Sequence, residues 1–164
     1  MWSEIDKPWQ ACLELAWEAY CDDCVPVGAV VTDAGGNIIS RGRNRVYPRS
    51  RWKDHPLGAE IAHAEVEALT SLDFNAGDYH EYALYTTTEP CPMCLGAIYW
   101  AGIKNVVYSC DRYDAEDSGF SDKMIYNEIM LDPLKRKISF IRLIDPGAKE
   151  IFRKWDELEN KIAY

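Results

Sequence analysis

The 164-residue chain reads as an α/β fold, a sheet with helices on both faces. Three observations predict it. A short apolar run, 26–32, and a returning strand, 38–46, flank Asp33, Ala34, Gly35, Gly36 and Asn37, which are turn residues, so the first two strands form an antiparallel hairpin. Beyond the hairpin, β-like and helix-like stretches alternate. A helix between two later strands is the crossover that a parallel pair needs.

The elements follow in order. Residues 8–22 repeat Trp9, Cys12, Leu13, Ala16, Trp17 and Tyr20 at helical spacing, with Gln10, Glu14 and Glu18 opposite. After the hairpin, 47–60 is irregular, broken by Pro48, Pro56 and Gly58. A second helix over 61–72 places Val66, Leu69 and Leu72 inward. Residues 82–87 are aromatic and β-branched enough for a strand. That strand runs into a helix opened by Pro92 and stopped by Gly102. A fourth strand covers 104–110, 111–121 is an acidic loop, and Asp122 caps a helix to about Leu131. A fifth strand over 138–144 is expected to run parallel to the fourth. Asp145 and Pro146 start a last helix with Ile151, Phe152, Trp155, Leu158 and Ile162 on one stripe. No repeat or linker interrupts the chain, so 1–164 is expected to be a single domain.

Composition narrows the function. The net charge of −9 repels phosphate backbones at long range and weighs against nucleic acid. Residues 1–6 lack the basic start and apolar run of a signal peptide, and no stretch reaches the roughly 18 apolar residues of a membrane span. The expected location is the cytoplasm, with no membrane partner. There the six cysteines suggest metal binding or burial rather than disulfides.

The chemistry concentrates at two short motifs, His63-Ala64-Glu65 and Pro90-Cys91-Pro92-Met93-Cys94. Cys91 as N-cap and Cys94 in the first turn share a helix face and can aim at one point. The helix N-terminus favours thiolate, the form that binds metal. With His63 they make three ligands, leaving a fourth position for water, which is the open form of a zinc site. Zinc lowers the pKa of that water to about 7. Glu65, two residues from a ligand, is placed to shuttle its proton. Because positions i and i+2 diverge on a regular helix, the site has to lie off the helix end. A second pair, Cys21 and Cys24, offers a rival: with Cys91 and Cys94 it makes a closed four-cysteine zinc site and an interaction module without turnover. That rival leaves His63 and Glu65 without roles, and the two cysteines more simply end the first helix. His55 and His80 read as surface residues, and Ile98, Tyr99 and Trp100 as core or substrate wall.

With these motifs and Pro26-Val27-Gly28-Ala29-Val30, Asn44 and Glu89, the chain resembles the cytidine deaminase superfamily, zinc-dependent nucleobase deaminases. The resemblance covers nearly the whole chain. It implies a three-layer α/β/α sandwich around a five-stranded sheet, zinc on His63, Cys91 and Cys94, and a proton shuttle at Glu65. Within that superfamily the chain is similar to small bacterial guanine deaminases, on Cys94-Leu95-Gly96-Ala97-Ile98-Tyr99-Trp100-Ala101, on Asp114 to Phe120 with Asp122 and Ile125 to Ile129, and on Trp155 with the terminal Tyr164. This implies a free purine base, guanine giving xanthine and ammonia. It also implies Asn44, Asp114 and Tyr164 at the base, Asp114 assisting proton transfer, and a homodimer whose exchanged C-terminal segments close each site. Another amino-heterocycle is the alternative, as is adenosine in tRNA. The bacterial tRNA enzymes, however, carry a Gly-Ala-x-Gly-Ser element absent here. The connection between Val46 and His63 is longer than guanine deaminases lead one to expect. Arg41, Arg43, Arg45, Arg49, Arg51 and Lys53 are six of the 18 basic residues and fall within 13 positions. They read as a solvated strand and loop, as a phosphate or RNA contact, or as a dimer contact.

Overall fold

The computed structural model describes residues 6–51, 60–73 and 79–160, with Arg49 by its backbone only. Within them lie helices α1 (Lys7–Cys21), α2 (Ala64–Thr70), α3 (Pro92–Trp100), α4 (Arg112–Asp117), α5 (Lys123–Ile129) and α6 (Pro146–Asp156). The strands are β1 (Gly28–Thr32), β2 (Ile38–Arg43), β3 (Ala83–Thr86) and β4 (Asn105–Val107). The chain divides into two compact units, Met1–Lys123 and Met124–Tyr164. No helix among the described residues is long and apolar enough to cross a membrane.

The first unit is built on one mixed sheet of order β2-β1-β3-β4. β1 pairs antiparallel with β2 and with β3, and β3 pairs parallel with β4 through the α3 crossover. The hairpin forms as its turn residues dictate. Asp33 Oδ1 accepts the backbone N–H groups of Gly35 and Asn37 at 2.9 and 2.8 Å, and Gly36 takes φ +78°, where a side chain would be strained. All five β1 residues are buried, as expected of a strand covered on both faces.

Two glycines set how close the helices come. A Cβ on Gly28 would meet the carbonyl oxygen of Cys12 in α1 at 2.2 Å, and one on Gly42 would meet that of Ala64 in α2 at 2.1 Å. The backbones of α1 and α2 therefore touch the sheet directly. Ala29, Val31 and Leu84 pack with Ala64, Ala68, Leu69 and Ile98, forming the core beneath α2 and α3.

Three expectations are corrected. The sheet has four strands among the described residues, not five. Residues 138–144 form no strand, and Ile138, Ile141, Leu143 and Ile144 are 73 to 88% exposed. The composition is β-like, but strand preference is realised only against a neighbouring strand and a packed face, and this segment pairs with no strand among the described residues. The parallel pair is accordingly β3 with β4, not a fourth strand with a fifth. Part of the acidic loop is helical: α4 is capped by Asp111, which accepts from Tyr113 N and Asp114 N, while Asp114 accepts from Asp111 N at 2.8 Å. That reciprocal capping box overrides the loop-like composition. Finally, Tyr99 and Trp100 are 76% and 72% exposed, neither core nor substrate wall, whereas Ile98 is buried.

In the second unit, α6 starts at Asp145 as its sequence indicates, Asp145 accepting from Gly147 N and Ala148 N. Its Ile151 and Phe152 stay exposed, as does Leu158 beyond its end, while Ile162 lies outside the described residues.

Candidate metal and catalytic site

Two helix starts converge on the site. His63 is the N-cap of α2, in extended conformation, so Glu65 falls at the second helical position. The backbone change at the cap resolves the i, i+2 divergence of a regular helix, since only Glu65 is inside it. Cys91 is the N-cap of α3 with Pro92 following, and Cys94 lies in the first turn. A strand, β3, delivers this second motif, with Thr86 at its end.

His63, Cys91 and Cys94 bring three ligand atoms within 4.8 Å of one another. The His63 Nδ1 is 3.4 Å from each sulfur. Zinc with Zn–S about 2.3 Å and Zn–N about 2.0–2.1 Å at tetrahedral angles spaces N and S about 3.5 Å apart, so the donor set fits. The other ring nitrogen, Nε2, is 3.1 Å from the Glu60 carbonyl oxygen. A carbonyl only accepts, so the proton belongs on Nε2 and the Nδ1 lone pair faces the sulfurs.

The electrostatics favour a cation there. The Cys91 thiol is brought down to about 4, first by hydrogen bonding from Cys94 and then by His63, while the Cys94 thiol is pushed up by its bond to Cys91 and by burial. Negative charge thus settles on Cys91. The Cys91 thiolate favours the protonated ring, whose Nδ1–H could donate to it, and so raises the His63 pKa. Cys21 and Cys24 take no part in this cluster: Cys21 is exposed, and buried Cys24 points its Sγ at the Asp22 carbonyl.

Glu65 is 3% exposed and is not a member of the ligand group. Its Oε1 accepts from the Thr86 hydroxyl at 3.3 Å and its Oε2 from the Cys94 thiol at 3.4 Å. Burial raises its pKa above the usual carboxylate range. A carboxylate held this way can take up a proton and give it back.

His63, Glu65 and Cys91 form the floor of a cavity of about 660 Å³, walled by Asn44, Val46, Glu89, Asp114, Phe120 and Asp122 among others. Asn44 is 3% exposed, and its Oδ1 accepts from Val46 N at 2.7 Å. Its amide NH₂ makes no hydrogen bond among the described residues, leaving donors for the cavity. Asp114 does line the cavity, but one of its oxygens is held in the α4 capping box. Asp122, read as a helix cap and as part of the stretch that carries the resemblance, makes no capping hydrogen bond and lines the cavity, half-buried. Burial, and then the nearby Cys91 charge, raises its pKa. The sequence carried the signal, a carboxylate two residues after Phe120 in the wall segment, but helix-start chemistry explained it first. Tyr164 and His55 lie outside the described residues.

The basic segment is largely paired within the chain. Arg43 bonds Asp22 at 3.1 Å, Arg51 bonds the same carboxylate at 3.4 Å and stacks on Tyr47, and Arg45 bonds Glu67 at 2.6 Å. The Arg49 side chain and Lys53 are not among the described groups.

Residues 3–110 match the family model of the cytidine and deoxycytidylate deaminase zinc-binding region. The chain belongs to that deaminase family. The deaminase is 38% identical over 141 residues to a guanine deaminase of Bacillus subtilis, covering 85% of each chain. The X-ray structure of a guanine deaminase from Bacillus subtilis superposes on it with TM-score 0.83 at 35% identity, covering 98% of each chain. It is also 39% identical over 114 residues to a tRNA-specific adenosine deaminase of Haemophilus influenzae, covering 68% of this chain and 61% of that one.

Proposed function

We propose that the chain hydrolyses guanine to xanthine and ammonia as a zinc enzyme. One observation carries deamination: a buried carboxylate, Glu65, beside a His-Cys-Cys ligand set and facing a cavity of about 660 Å³, which has room for a purine base. Guanine is supported by the similarity to the Bacillus subtilis enzyme over 85% of both chains.

His63 Nδ1 and the sulfurs of Cys91 and Cys94 would hold the metal. Zinc bound there supplies an acidified water at its open position. Glu65 accepts a proton from the attacking water and returns it to the departing amino group, so the leaving group is ammonia rather than an amide anion. Thr86 fixes one Glu65 oxygen during the transfer. Asn44 offers donors, which suit a ring nitrogen or carbonyl oxygen. The carboxylates of Asp114 and Asp122 offer acceptors for N–H groups of the base. Asp122 is the better placed, because neither of its oxygens is held by a described residue.

The 1–164 chain works in this reading as one deaminase domain, in a homodimer that exchanges C-terminal segments, with Tyr164 reaching the base. The bare apolar segment 138–144 supports it, as does the position of β4 at the sheet edge. Six free cysteines, two of them at the metal site, suit the reducing cytoplasm.

The test is ammonia release from guanine, adenine, cytosine, their nucleosides and tRNA. Guanine is expected to turn over. Turnover confined to tRNA overturns the substrate reading; the internal pairing of Arg43, Arg45 and Arg51 disfavours that outcome.

A further inference from the structure

We infer that Glu89 and Arg112 are positioning residues that lock the substrate wall onto the metal-ligand loop. The inference rests on the deaminase reading above and concerns how its cavity keeps its shape.

Glu89 lies two residues before the ligand Cys91, and Arg112 is the first residue of α4. The Glu89 carboxylate accepts from the Arg112 backbone N–H at 3.0 Å, from its Nε at 3.1 and 3.2 Å, and from its Nη2. The pair is partly buried, the side chains of Arg112 and Glu89 being 37% and 18% exposed. A forked guanidinium on a carboxylate fixes orientation as well as distance. The backbone bond does a second job. Asp111 satisfies the N–H groups of Tyr113 and Asp114, and Glu89 satisfies that of Arg112, so the first turn of α4 is fully capped only with Glu89 included.

What hangs on α4 explains why this matters. At only six residues it is too short to be stable alone. Its far end is closed by Gly119 N to Glu116 O at 3.0 Å and Phe120 N to Ala115 O at 2.8 Å, with Gly119 at φ +91°. Residues 111–120 therefore form one internally bonded unit. Asp114, Phe120 and, just beyond, Asp122 reach the cavity from it. The start of the unit is held by a paired backbone tie, Glu89 N donating to Cys110 O at 2.8 Å and Cys110 N to Thr87 O at 3.1 Å. Without the ion pair the wall can pivot about that tie, and the carboxylates it presents lose their register with His63, Cys91 and Glu65.

The experiment compares wild type, Arg112→Ala and Arg112→Lys as full-length zinc-loaded proteins. Readouts are zinc content, steady-state kinetics on guanine, and amide hydrogen exchange. For Arg112→Ala, KM is expected to rise about tenfold, below the roughly 100-fold that a 1 Å misplacement can cost. The kcat should stay within about threefold and zinc should stay bound, because no ligand or proton carrier is touched. Exchange of amides 113–120 should quicken about tenfold while amides 94–98 do not change. Arg112→Lys, which keeps the charge and loses the fork, should fall between. Unchanged KM and exchange would reduce the pair to a surface contact. Loss of zinc and kcat together would assign it to the metal loop instead. If wild type leaves guanine untouched, the substrate reading fails, and hydrogen exchange alone decides the positioning role.

Discussion

Glu65 carries the sharpest residue-scale prediction, because it is buried beside the ligands without being one of them. Glu65→Gln should keep fold and zinc and lower turnover about 10²- to 10⁴-fold, the usual range for a positioned acid–base group. Equal ammonia release from both proteins would remove the mechanism. Metal analysis separates the two cysteine pairs: wild type should hold about one zinc per chain and Cys91→Ala should lose it. Cys21→Ala should keep it, since the Cys21 thiol is exposed and outside the cluster. The wall carboxylates are expected to divide differently from what the resemblance implies. Asp114→Asn removes half of a capping box and should cost about 1 kcal/mol of stability, whereas Asp122→Asn should raise KM for guanine and leave stability nearly unchanged. A larger kinetic effect at Asp114 than at Asp122 would reverse that assignment.

Between residue and molecule, close packing decides which substitutions the helices and strands tolerate. Gly28→Ala forces a methyl against the α1 backbone, and Gly42→Ala does the same against α2. Neither neighbour is a flexible side-chain tip, so each change should cost about 3 kcal/mol, the upper end for over-packing. Thermal unfolding would show this, and an unchanged midpoint would mean that the helices stand further off. The end of α1 is tied to the 43–51 stretch through Asp22, whose carboxylate meets Tyr47, Arg43 and Arg51. The Tyr47 hydroxyl first, and then Arg43, lower its pKa from 3.8 to about 2. A depressed carboxylate stabilises the fold fully above its unfolded pKa and loses that contribution as pH falls toward its folded one. The stability gap between wild type and Asp22→Asn should therefore be constant near neutrality and close between pH 3.8 and about 2. A gap that persists at pH 2 would show that the carboxylate charge is not what Asp22 contributes.

For the whole molecule, the apolar surface of the second unit is the decisive feature. Ile141, Leu143, Ile144 and Phe152 are 74 to 88% exposed, far beyond scattered surface residues. A homodimer that exchanges C-terminal segments gives them a place. Sedimentation is expected to find a dimer, and charged substitutions at Ile141 and Leu143 should weaken it. Removing residues 161–164 should reduce activity more than stability. A monomeric wild type with full activity would refute the exchange.

The local chemistry was legible in the sequence. Pro92 beside Cys91 announced a helix start, Asp33 to Asn37 a hairpin turn, and the spacing of His63, Glu65, Cys91 and Cys94 one metal-centred constellation, because caps, turns and ligand spacing act over a few residues. Other features depended on groups distant in the chain. Residues 138–144 have strand composition, yet a strand exists only where an edge receives it. Asp111 to Asp117 looks like loop until a capping box closes around it. The basic run from Arg41 reads in sequence as a solvated surface, a phosphate contact or a dimer contact, and only the packing of α1 and α2 brings Asp22 and Glu67 against Arg43, Arg45 and Arg51. Asp122 became a cavity wall, and Glu89 the anchor of α4, through contacts with residues far from them in sequence or through burial, neither of which spacing encodes.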